Sequence, residues 1–336
     1  MVHLVTFGEI MMRLSPPGKK KLHQTDQLDI LYAGAEANVS CALAYWGLQA
    51  SHVTKFPDNA LGYAATAAMR KVNVDMSHVQ YDPNGRMGLF FLEHGAMYRA
   101  TSITYDRLPS SFSSMDADCF DWKKILKDVK WFHWTGITPA ISQSAADSLL
   151  KALKVANEYG ITVSADINYR SNLWQYGKQP GEVMHDLVAL SHILVAAESD
   201  TSTIFGIDAP ATDEGFMELT SKMKARFPSI RGMIASRRQA DHASKNELAG
   251  LYWNGTDLLK SKKYVLDNIV DRIGSGDAMM AGFIYSSLQN ASDQEKIDIA
   301  TASAVMKHTV EGDVNFVSMN EINNLVNGNT GGRVKR

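Results

Sequence analysis

The feature that most restricts how this chain can fold is a rhythm of short apolar runs, each followed by a longer stretch with helical spacing. Residues 2–7 predict a buried strand stopped by Gly8, and residues 35–46 a small-residue helix closed by Gly47. Strand is expected again at 53–56, 129–134 and 161–165, with helices over 62–72 and 142–159. Two further short strands, at 193–196 and 233–235, are separated by a helical pattern over 214–226. Strands that are apolar throughout need cover on both faces. The alternation therefore predicts a three-layer α/β/α domain around a mainly parallel sheet. At 336 residues the chain is long enough to bury that core and carry an insertion.

Two stretches break the rhythm. Residues 14–32 contain Pro16-Pro17-Gly18 and three consecutive lysines from Lys19. Residues 86–107 contain Gly88-Leu89-Phe90-Phe91-Leu92, a turn at His94-Gly95 and a candidate strand at 102–105. Both read as hairpins that could pair into a small sheet standing off the main domain. The expected division is a main domain of 1–13, 33–85 and 108–327, a β lid of 14–32 and 86–107, and a disordered tail at 328–336. Phe90, Phe91 and Leu92 in succession cannot share one face of a strand. The outer face of the lid would stay apolar, which predicts a homodimer through the lids or a higher homo-oligomer.

Charge narrows the partners. With 34 basic and 36 acidic residues the formal charge is -2, so no bulk field favours nucleic acid or an anionic membrane. Any anion must be held by a local site. Cys41 and Cys119 are the only cysteines, too few for a disulfide scaffold. No apolar run approaches the ~20 residues a membrane span needs, and no signal peptide is visible, so cytoplasm is the expected location.

The chemistry concentrates in Asp271-Arg272-Ile273-Gly274-Ser275-Gly276-Asp277, which runs into apolar residues at helical spacing. Gly274, Ser275 and Gly276 form a turn whose backbone N–H groups can approach an anion at a helix N-terminus. A carboxylate beside such an anion hole repels a phosphate. It makes sense if Asp277 takes the proton from a hydroxyl attacking phosphorus, although Asp also serves as an ordinary helix cap. The glycine fingerprint of dinucleotide-binding folds is not met here, because Met279 stands where G-x-G-x-x-G requires its third glycine. A second small-residue segment, Ala33-Gly34-Ala35-Glu36-Ala37-Asn38, opens another helix.

Together the two segments resemble the paired signatures of the ribokinase-like, or carbohydrate kinase B, sugar kinases. Phe7-Gly8-Glu9, Asp58-Asn59-Ala60-Leu61-Gly62 and the lid-like inserts agree with that family. Within it the chain is most similar to the 2-keto-3-deoxygluconate kinases. Tyr105-Asp106-Arg107, Gly136-Ile137-Thr138-Pro139-Ala140, Asp166-Ile167-Asn168-Tyr169-Arg170 and Gly312-Asp313 carry that likeness.

The resemblance implies ATP-dependent phosphorylation of a sugar acid, 2-keto-3-deoxygluconate to its 6-phosphate, with Mg²⁺ and in some relatives a monovalent cation. It implies Asp277 as base, with Gly34, Asn38, Phe90, Tyr105, Arg107, Ile137, Asp166, Arg170 and Asp313 toward the acceptor. The nucleotide side would comprise Asn168, Glu198, Ser236, Arg237, Arg238, Gly274 and Gly276, with Asp200 toward the metal. The two guanidinium groups of Arg107 and Arg170 suit a carboxylate better than a neutral sugar. Three departures stand out: Ala197-Glu198-Ser199-Asp200 in place of Asn-x-x-Glu, Ser236-Arg237-Arg238 in place of a Thr-containing loop, and Arg272 before the turn. They keep two alternatives open, a neutral-sugar kinase of fructose or ribose type and a weakly catalytic protein that binds a sugar acid.

Overall fold

The computed structural model describes residues 3–242 and 245–329. Its centre is a nine-stranded sheet. Leu4–Phe7 lies between Ala50–Val53 and Trp131–Thr135, and Thr162–Asp166, Ile193–Val195 and Gly232–His242 follow outward, all in parallel. The order reverses between Leu4–Phe7 and Trp131–Thr135, and ligands in open α/β sheets bind beyond the strand C-termini at such a reversal. Helices cover both faces, as the apolar strands require. Gln143–Glu158 buries Ala145, Leu149, Ala152 and Ala156, and its start is fixed by Ser142 Oγ accepting from Ala145 N at 3.2 Å. The helix Ser275–Leu288 packs between Ala35–Tyr45 and Asp293–Lys307 and is buried on nearly every side, so it shows no polar stripe.

Three sequence expectations change in detail. The strand expected at 53–56 splits, because the chain leaves the main sheet after Val53 and Lys55–Pro57 pairs with Gln80–Asp82 instead. The short strand at 233–235 is the first part of an eleven-residue strand, Gly232–His242, antiparallel to Lys245–Trp253. Leu258–Lys260 and Tyr264–Asp267 extend this antiparallel edge. Arg237 and Arg238 disguise it by ending the apolar run after Ala235.

The lid inserts do pair. Met11–Ser15 is antiparallel to Asp29–Ala33 and parallel to Leu89–Glu93, which is antiparallel to Ser102–Asp106. This ladder begins at Met11, ahead of the expected Leu14. Phe90 and Leu92 are buried while Phe91 is half-buried, so the run alternates as a strand must. With Met11 and Ala33, they pack against Ile273, which brings the inner face of the small sheet onto the Gly274 turn. Of the tail expected at 328–336, residues 330–336 lie outside the described residues. Among the described residues no helix is long and apolar enough to cross a membrane.

Candidate active site

Two helix starts meet at the sheet's C-terminal edge. Gly34 precedes Ala35–Tyr45, and its Cα lies so close to the preceding strand connection that a Cβ would sit 2.2 Å from Glu9 O. Gly274 precedes Ser275–Leu288 in the left-handed region, φ 79°, where a Cβ would sit 1.9 Å from Asp313 O. Only glycine fits either place. Across the gap Asn38 Nδ2 donates to Asp277 Oδ2 at 2.7 Å, while the buried Asn38 Oδ1 has no hydrogen-bond partner. That free acceptor suits a substrate hydroxyl. Around Gly276 a Cβ would meet nothing within 4 Å, so the turn is open to a ligand.

The cavity in front of these groups has a volume of about 580 Å³. It is lined by Gly34, Asn38, Phe90, Tyr105, Ile137, Asp166, Asn168, Arg170, Glu198, Asp200, Ser236, Arg237, Arg238, Gly274, Ser275, Gly276, Asp277 and Asp313. Every residue nominated from sequence is therefore present except Arg107. Arg107 is buried at the root of the lid, where its Nε donates to Glu9 Oε2 at 2.6 Å. That carboxylate takes the Arg107 Nε–H, and Arg107 is not among the residues lining the cavity. The expected pair of acid-binding arginines reduces to Arg170, which is exposed at the cavity edge.

The carboxylates facing the cavity are strongly perturbed. Burial pushes Asp277 up to about 8; the Asn38 hydrogen bond opposes this, and the charges of Asp166, Glu36 and Asp313 add to it. Burial and then Asp200 raise Asp166 to about 7, against the pull of Arg170. Asp200 is itself raised by burial. Two acidic groups that burden each other across a cavity favour a bound cation. Among the described residues no three His, Cys, Asp or Glu gather into a metal cage. The arrangement fits Mg²⁺ held by one or two carboxylates together with phosphate oxygens.

Of the nominated nucleotide residues, Arg237 and Glu198 engage each other, with Nη1 and Nη2 3.1 and 2.6 Å from the two carboxylate oxygens. Arg238 lies closer to the chemistry. Its Nη2 is 3.3 Å from Ser275 Oγ and donates to His308 Nε2 at 3.1 Å. Burial and the neighbouring Arg272 lower its pKa, which marks a locally cationic wall beside the turn. His308 serves as the acceptor because its Nδ1 is occupied by Ala304 O at 2.7 Å, and burial pulls it down to about 4, keeping it neutral.

Sequence reasoning missed the groups that hold the site rather than line it. Glu36 is buried, and one of its oxygens accepts from Thr135 N, Thr135 Oγ1 and Thr138 Oγ1 at 3.1, 2.8 and 2.8 Å. It ties the Asn38 helix to the end of the strand Trp131–Thr135. Arg13, 1% exposed, reaches Asp313 and Asp271 at 2.8 and 3.0 Å. Lys307 is wholly buried, its Nζ 3.2 Å from Val310 O and 3.5 Å from Asp271 O. A charged residue inside the apolar run Met11-Met12-Arg13-Leu14 was the available signal for Arg13.

Comparison with known proteins gives the same picture. Residues 1–319 match the model of the pfkB family carbohydrate kinases. A 2-dehydro-3-deoxygalactonokinase of Haloferax volcanii is 30% identical over 98% of both chains. A 2-dehydro-3-deoxygluconokinase of Thermoproteus tenax is 25% identical over 93% of this chain and 90% of its own. The crystal structure of a 2-dehydro-3-deoxygluconokinase from Thermotoga maritima superposes with a TM-score of 0.93 at 38% identity, covering 98% of this chain and all of that one. With the two helix starts, the lid sheet and the family model in agreement, this chain belongs to the pfkB family of carbohydrate kinases.

Proposed function

We propose that this protein transfers the terminal phosphoryl group of ATP to a hydroxyl of a 2-keto-3-deoxy sugar acid, giving 2-keto-3-deoxygluconate 6-phosphate from 2-keto-3-deoxygluconate. The observation that carries this reading is Asp277, held by Asn38 Nδ2 at 2.7 Å and standing directly after an open Gly274-Ser275-Gly276 turn. Asp277 takes the hydroxyl proton as the acceptor oxygen bonds to phosphorus and the bond to the ADP oxygen breaks. A base held near neutral pH is well matched to that step. The turn's N–H groups and the helix dipole stabilise the charge gathering on the transferring group. Arg238 lies on the nucleotide side of the turn. Mg²⁺, when bound with the nucleotide, supplies charge neutralisation, and Asp166 and Asp200 are the residues that would hold it.

The sugar-acid assignment rests on Arg170 and on the names of the similar proteins. One relative is named for the galactonate-derived acid and others for the gluconate-derived acid, so both C4 epimers belong in the test. Withdrawal of Arg107 from the cavity favours, as a second reading, a kinase for a neutral sugar. On the lid face away from Phe90, Ile30 is 56% exposed beside Leu14 and Phe91, which supports assembly of two copies through that sheet. A cytoplasmic setting agrees with ATP as donor and with two free cysteines.

An ADP-release assay across both keto-deoxy acids, their parent aldonates, fructose and ribose separates the readings. A keto-deoxy acid should exceed the neutral sugars by about tenfold or more in kcat/KM, the worth of one charged hydrogen bond. Preference for fructose overturns the acceptor and leaves the kinase. Calorimetric binding of the acid without turnover overturns the kinase.

A further inference from the structure

Arg13 belongs to the lid, yet its guanidinium is bound to the loops that build the anion hole. It lies on the strand Met11–Ser15 and is 1% exposed. Its Nε donates to Ser15 Oγ at 3.0 Å, Nη1 to Asp313 Oδ2 at 2.8 Å, and Nη2 to Asp271 Oδ2 at 3.0 Å, with His94 Nε2 2.9 Å away. Each carboxylate is built into the turn. Asp271 Oδ1 accepts from Ile273 N at 3.0 Å and Oδ2 from Gly312 N at 3.2 Å. The backbone of Asp313 is what Gly274 packs against so closely that no Cβ fits.

Continuing from the kinase reading above, we infer that Arg13 is a positioning residue that fixes the lid's first strand to the Gly274-Ser275-Gly276 turn, so that the lid root and the phosphoryl-transfer site keep one geometry. The chemistry favours this over simple filling of the core. Arginine's planar fork is what allows one side chain to serve two carboxylates and a ring nitrogen from three different segments. A buried charge shared among strand, turn and loop also makes their relative displacement costly, since any shift strands an ion. Arg13 further offsets Asp313, whose charge faces a cavity that must accept anions. Displacement of a transfer site by about an ångström costs up to about 10²-fold in rate, so the link bears on turnover even though Arg13 does not line the cavity.

The test is Arg13→Lys, which keeps the buried positive charge and loses the fork. Two readouts are taken well below the melting temperature. Amide hydrogen exchange should quicken by about tenfold or more at 271–276 and 312–314 together with the lid strands, while Trp131–Thr135 is unchanged. In the ADP-release assay kcat should fall about tenfold with acceptor KM within about threefold, the pattern of a lost transition-state arrangement. Unchanged exchange at 271–276 overturns the inference, as does kcat within about twofold of wild type. Should the lysine variant fail to fold, Asp271→Asn removes one arm of the fork and is read in the same two ways. A wild type that phosphorylates none of the acceptors overturns the proposed function, and hydrogen exchange then still decides the link.

Discussion

Asp277 shows at the residue scale how burial sets both chemistry and stability. Its carboxyl is raised from an ordinary 3.8 to about 8, so as a base it is active only once deprotonated. Activity, as kcat/KM, should therefore rise with pH toward about 8. Asp166→Asn removes one of the charges that raise Asp277, so the midpoint should move down, and a pH–rate profile of the two proteins checks it. Stability runs the other way. A carboxyl raised on folding contributes most below its unfolded value, and that contribution is lost as pH rises through the folded value. Asp277→Asn should thus change the melting temperature little below pH 3.8 and raise it relative to wild type increasingly from there up to about pH 8, by calorimetry.

The two arginines separate in the same way. Arg170→Ala should raise KM for a keto-deoxy acid about tenfold or more and barely affect a neutral sugar. Arg107→Ala should leave that preference intact and cost about 3–5 kcal/mol of stability, because it strands Glu9. Equal weakening of both acceptors by Arg170→Ala would make Arg170 structural. Asp277 and Arg170 were legible in the sequence because they sit in segments whose spacing carries meaning. Arg107 was misplaced because an arginine at a strand end looks the same whether it faces a cavity or a buried glutamate.

The Gly274 turn and the lid sheet dominate the element scale. Gly274→Ala forces a side chain into the left-handed region and against Asp313 O at 1.9 Å. Strain of this kind is worth on the order of 1–3 kcal/mol, and kcat should drop about 10²-fold as the N–H groups turn away from the transferring phosphate. Urea denaturation and the ADP-release assay measure the two effects, and retained activity would show that the turn does not bind the transferring group. Helices and core strands were readable because their apolar period is fixed by burial. The antiparallel edge of Gly232–His242 and Lys245–Trp253 was not, since Arg237 and Arg238 break its apolar run to bond Glu198, His308 and Ser275. The two lid hairpins were readable as hairpins. Their mutual parallel pairing, Met12 with Leu89 and Leu14 with Phe91, depends on contacts far apart in sequence that no local pattern specifies.

For the whole molecule, the lid contributes part of the cavity wall through Phe90, Ile103 and Tyr105, while Ile30, 56% exposed, shares the opposite face with Leu14 and Phe91. A sheet apolar on both sides needs a second cover, so light scattering at micromolar concentration should return the mass of a dimer, and a monomer would contradict the lid interface. The three-layer architecture followed from the sequence rhythm, because parallel strands have few ways to be covered. The ties that hold lid to turn did not, because Arg13, Asp271 and Asp313 come from three distant segments. The central claim is that Asp277 transfers the acceptor proton in a sugar-acid kinase. Its most direct test is phosphorylation of 2-keto-3-deoxygluconate by ATP, followed by phosphorus NMR, for wild type and Asp277→Asn. The account predicts a 6-phosphate ester from wild type and a rate lower by about 10²–10⁴-fold from the folded variant. No ester from wild type, or a variant within about threefold of it, would contradict the account.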